Sequence, residues 1–93
     1  MARQRLPNRR PVITHSLDYS GDRYHVSVGY DLTAQPKEVF IRGSKSGSDM
    51  DSLLDDVAVV VSVALQNGVN VAELKRSLGD GIINKVLTLI DEP

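Results

Sequence analysis

The sequence contains no cysteine and no tryptophan, one phenylalanine and three tyrosines. Without cysteine there are no disulfides, no thiolate metal sites and no thiol nucleophile. With so few rings, the core has to be built from Val, Leu and Ile. No apolar run approaches the roughly 18–20 residues that a membrane span needs. The basic N-terminus is not followed by an apolar stretch, so it does not read as a secretory signal, and the expected location is the cytoplasm. A chain of 93 residues suits one domain, which at this size buries roughly 60% of its unfolded surface. So thin an aliphatic core gains from pairing with another copy, and a homodimer is expected.

What is present is unevenly charged. The net charge is −1, yet Arg3, Arg5, Arg9 and Arg10 supply four of the eleven cations. Without residues 1–10 seven cations face twelve anions, a net of −5. Residues 1–11 therefore read as a basic arm, and residues 12–93 as an acidic single domain.

Period-two alternation marks a hairpin over residues 12–30. Ile13, His15, Leu17 and Tyr19 form one apolar set; Tyr24, Val26, Val28 and Tyr30 form the other. A two-residue Ser20-Gly21 loop pairs Leu17 with Tyr24 and Ile13 with Val28, which brings both sets to one face. Residues 37–42 form a third strand, with Val39 and Ile41 opposed to Glu38, Phe40 and Arg42. The turn-rich segment 43–48 leads to a long helix ending near Asn67, with Ser48 as N-cap and Asp51 as its capping-box partner.

Along that helix Met50, Leu53, Leu54, Val57, Val60, Val61, Ala64 and Leu65 are expected to face the core. Asp49, Ser52, Asp55, Asp56, Ser62 and Gln66 are expected on the opposite side. Val59 and Val63 widen the stripe and are candidate interface residues, in contact with something other than the sheet. Gly68 is the expected C′ residue. A short helix capped by Asn70, with Glu73 at N3, and a third from about Gly81 to Ile90 complete the chain. The order βββααα predicts an α+β fold: a three-stranded antiparallel sheet covered on one face by a long helix and two short ones.

Candidate chemistry is sparse. Lys45, Ser46, Gly47 and Ser48 open a helix, where free N–H groups and a lysine could hold an anion. No Gly-Lys-Ser/Thr run closes that loop as in a Walker motif, and four aspartates follow at once. The aspartates stabilise a first helical turn without any metal. His15 and His25 fall on opposite faces of the predicted hairpin, so they cannot act as a pair, and His15 reads as a hydrogen-bonded core or interface residue. No G-x-S-x-G elbow is present. The inventory argues against an enzyme and implies no metal or cofactor. The arginine arm could attract nucleic acid weakly through phosphates, but docking on an acidic protein surface or plain solvation is the favoured reading, since a basic segment alone is weak evidence for nucleic acid.

Several segments together resemble the TSCPD domain family. They are Glu38-Val39-Phe40-Ile41, the run Lys45-Ser46-Gly47-Ser48-Asp49, and the helix from Asp55 through Gln66-Asn67-Gly68-Val69. Leu6-Pro7-Asn8-Arg9-Arg10-Pro11 and Gly21-Asp22-Arg23-Tyr24 are similar to the short, free-standing members. The family also occurs as a terminal domain of cobalamin-dependent ribonucleotide reductases. The resemblance implies an accessory or regulatory module linked to deoxynucleotide synthesis, with a reductase subunit as a possible partner. Where longer members carry Thr-Ser-Cys-Pro-Asp, this chain has Gly79-Asp80-Gly81-Ile82-Ile83, so no thiol or zinc role of that motif carries over. The alternative expectation is a phosphate-recognising module that binds nucleotide or nucleic acid through residues 43–48 and the arm.

Overall fold

Alternating apolar residues pair into a sheet, and the hairpin register is the predicted one. The computed structural model describes residues 12–43 and 49–91. Strand β1 (Val12–Tyr19) runs antiparallel to β2 (Asp22–Tyr30), with Ile13 opposite Val28, Leu17 opposite Tyr24 and Tyr19 opposite Asp22. Ser20 and Gly21 both have positive φ, 54° and 85°, as a two-residue turn matched to strand twist requires. Strand β3 (Pro36–Gly43) adds to the other side of β2, giving the order β1-β2-β3.

Three helices follow: α1 (Asp49–Gln66), α2 (Val71–Ser77) and α3 (Ile82–Asp91). The α+β fold and the order βββααα agree with the expectation. The core forms between one face of the sheet and the helices. Val26, Val28, Val39 and Ile41 meet Leu54, Val61 and Leu65 of α1 and Val86, Leu87 and Ile90 of α3. Each fully buried Val or Leu contributes roughly 1.5–3 kcal/mol. Helix α1 stops in a Schellman motif: Val69 N–H donates to Ala64 O at 3.1 Å, Gly68 N–H to Leu65 O at 3.2 Å, and Gly68 takes φ 90°. Asn70 caps α2 by accepting from Glu73 N–H at 2.8 Å. The proposed Ser48 cap lies outside the described residues.

The packed face of α1 differs from the expected one. Met50, Leu53 and Val60 are exposed, at 51%, 58% and 67%. Ser62 and Gln66, expected to face water, are buried. The reason is the edge of the sheet. In an outer strand every second residue points its N–H and C=O away from the sheet, and these groups need partners. Helix α1 supplies them along β3. Gln66 Nε2 donates to Lys37 O at 2.9 Å. Ser62 Oγ accepts from Val39 N–H at 2.9 Å and donates to Ala58 O at 2.8 Å. Asp51 Oδ1 accepts from Gly43 N–H at 3.4 Å. In return Lys37 Nζ donates to Leu65 O at 3.2 Å, on the last turn of α1. These polar contacts rotate the helix, and half of its apolar surface turns outward.

Between β2 and β3, Asp31 organises the connection. Its Oδ1 accepts from Thr33 N–H, Thr33 Oγ1 and Gln35 N–H at 2.7–3.0 Å. The Thr33 hydroxyl first, then the Gln35 amide, hold this carboxyl below its ordinary value of 3.8. Ala34 is held there at φ 63°.

Three outcomes are expected. Ser62→Ala leaves the Val39 amide buried without its partner and should lower the unfolding free energy by about 1–3 kcal/mol in urea titration. Gly21→Ala meets no atom within 4 Å, so it should cost only the left-handed backbone penalty, about 1 kcal/mol. A carboxyl whose folded pKa is depressed stabilises above its unfolded value and loses that stabilisation as pH falls through the folded one. Asp31→Asn should therefore reduce the decline in melting temperature seen as pH drops below 3.8.

Candidate interaction surfaces

Helix α1 positions the first surface. Its sheet-facing side is used up by Leu54, Ala58, Val61 and Leu65, all buried. The opposite side still carries apolar residues. Val59 is 53% exposed and Val63 38%, so both interface candidates lie on the outer surface, away from the sheet. Met50, Leu53 and Val60 are exposed too, on a separate stripe round the helix, with Val57 and Ala64 half-buried along it. The pattern reading placed Met50, Leu53 and Val60 in the core because spacing reveals that a face is apolar but not which of two apolar faces meets the sheet. The polar residues Ser62 and Gln66 were the available signal, since their burial requires a backbone edge to bind.

The second surface is the sheet face opposite the helices. Thr14 Oγ1 and Ser27 Oγ lie 3.0 Å apart there. Phe40 stands opposite Ser27, half exposed, and Arg42 stands opposite His25. Arg23 Nε donates to Asp18 Oδ1 at 3.0 Å in an exposed ion pair. That hydrogen bond, more than the charge itself, holds the Asp18 carboxyl below its ordinary range. One aromatic on a polar face lacks the series of stacking rings that single-stranded nucleic acid uses.

Strand β1 forms the free edge of the three-stranded sheet. The two histidines fall on opposite faces of the hairpin, as expected. His15 is half-buried on the helix-facing side, and its Nε2 is enclosed with no hydrogen-bond partner among the described residues. This corrects the hydrogen-bonded part of the expectation for His15 at that nitrogen.

A depression of about 200 Å³ is lined by Gln35, Pro36, Lys37, Leu65, Asn70 and Asp91 among others. It is smaller than the ~300–1,000 Å³ of ordinary ligand sites. Its lysine is bound to the end of α1. Among the described residues no three His, Asp or Glu side chains are grouped to hold a metal. None of the described helices is long and apolar enough to cross a membrane. Lys45, Ser46, Gly47 and Ser48, and Arg3, Arg5, Arg9 and Arg10, lie outside the described residues.

Comparison with known proteins adds a relationship to this geometry. The model of the TSCPD domain matches residues 2–87. Over 67 residues, 72% of this chain, the sequence is 34% identical to the vitamin B12-dependent ribonucleotide reductase of Rhodopirellula baltica and 37% identical to that of Streptomyces clavuligerus. The reductase of Agrobacterium fabrum is 30% identical over 71 residues, 76% of this chain. The matched stretch is 6%, 7% and 6% of those three proteins, respectively. This chain therefore corresponds to a small part of each. No solved structure matches.

Proposed function

We infer that this chain is a non-enzymatic accessory module of ribonucleotide reduction, and the premise is kinship: it belongs to the TSCPD domain family. The observation that carries the reading is that its curated relatives named above are vitamin B12-dependent ribonucleotide reductases, in which the shared stretch is a small fraction of the length. A stretch so small is suited to contact or regulate rather than to house a reductase centre. The absence of cysteine supports this, because such a chain has no thiol to bring to a redox step. The apolar outer face of α1 and the free edge of β1 are surfaces of the kind that proteins use to bind one another. We place the module in the cytoplasm with the reductase.

The test mixes the purified chain with the vitamin B12-dependent reductase of the same organism. Calorimetry should give a saturable binding heat, and adding the chain should change reductase turnover. The chain alone, supplied with ribonucleotide, reductant and B12 cofactor, should form no deoxynucleotide. Product from the chain alone would overturn the non-enzymatic reading. Neither heat nor a change in turnover would overturn the association.

A further inference from the structure

We propose that the outer face of α1 binds the same face of a second copy of this chain, with the two helices antiparallel. Met50, Leu53, Val57, Val60 and Ala64 follow one another at intervals of three, four, three and four residues. That is the heptad seam by which one helix packs on another. None of the five is buried within the chain, and the sheet is already occupied by the buried side of the same helix. The seam therefore calls for a helix from outside.

Charge selects which helix and in which direction. Asp49, Asp51, Asp55 and Asp56 all lie in the first half of α1, and residues 57–66 carry no charge. A parallel copy would lay Asp49 and Asp56, the two aspartates that border the seam, beside their own counterparts. An antiparallel copy lays each acidic half beside an uncharged one, and the two helix dipoles oppose favourably. The seam is also self-complementary in that direction. With the two-fold axis between residues 58 and 59, Leu53 faces Ala64, Val57 faces Val60, and Met50 faces Asn67. The larger Leu53 meets the small Ala64, and every contact is repeated by symmetry, as in an isologous interface. Val63 borders the seam next to Val60, whereas Val59 lies farther round the helix, outside it.

Helix α1 is about 27 Å long at 1.5 Å per residue. Two such faces together bury on the order of 1,000 Å², near the lower bound for specific interfaces. The dimer is consequently weak and concentration-dependent. The result is a sandwich of sheet, helix, helix and sheet, with the open sheet faces and the β1 edges left outside.

Sedimentation equilibrium of the full chain should show mass rising from 10.2 kDa toward twice that value with concentration. Val60→Asp changes a side chain that is 67% exposed. It should weaken self-association at least tenfold while leaving the far-UV circular dichroism unchanged. Because the chain has no cysteine, introduced thiols report geometry cleanly. A mixture of Leu53→Cys and Ala64→Cys chains should oxidise to a mixed dimer, whereas Leu53→Cys alone should not cross-link. A wild-type chain that stays monomeric at high concentration overturns the proposal, whatever else covers the face. So does a Val60→Asp variant that dimerises as tightly as wild type, or cross-linking by Leu53→Cys alone.

Discussion

Strand β3 ends the sheet, and the bonds that α1 makes to its outward backbone groups set the position of everything else. Gln66, Ser62 and Asp51 reach Lys37, Val39 and Gly43 in order along the strand. The helix thus stands in for a fourth strand, using side chains where a strand would use its backbone. A buried amide without a partner costs about as much as a lost hydrogen bond or more. The edge therefore constrains the rotation of the helix about its axis. The apolar contacts of Leu54, Val61 and Leu65 then fill the space between helix and sheet.

Closing one edge has consequences for the rest of the surface. Polar side chains occupy part of the inward side of α1, so apolar ones are left outside. A monomer that exposes a continuous apolar strip on its longest helix carries an interaction surface or an aggregation hazard. The opposite edge, β1, receives no such cover from α1. The two surfaces suitable for binding are therefore on different elements, one helical and one extended.

Kinship and geometry meet in this division. The family match spans nearly the whole chain, yet the corresponding stretch is a small part of the reductases. Among the described residues the two histidines are set apart rather than convergent. His15 faces the helices and His25 the open sheet face, and the exposed Asp18–Arg23 pair holds a hairpin end. Exposed pairs of that kind contribute little to stability.

Much of the architecture was legible in the residues alone. Alternation around Ser20-Gly21 determined the hairpin register, since a one-residue slip would send Leu17, Tyr24 and Val26 to the wrong face. Gly68 and Asn70 marked helix ends through local backbone chemistry, which needs no distant partner. The face of α1 was not legible, because two apolar stripes share that helix and spacing treats them alike. Only the folded chain, by bringing Ser62 and Gln66 against the backbone edge of a strand more than twenty residues away, decided which stripe is core and which is surface. Local sequence encodes periodicity and caps; the satisfaction of a strand's free backbone groups is a long-range matter that tertiary structure alone resolves.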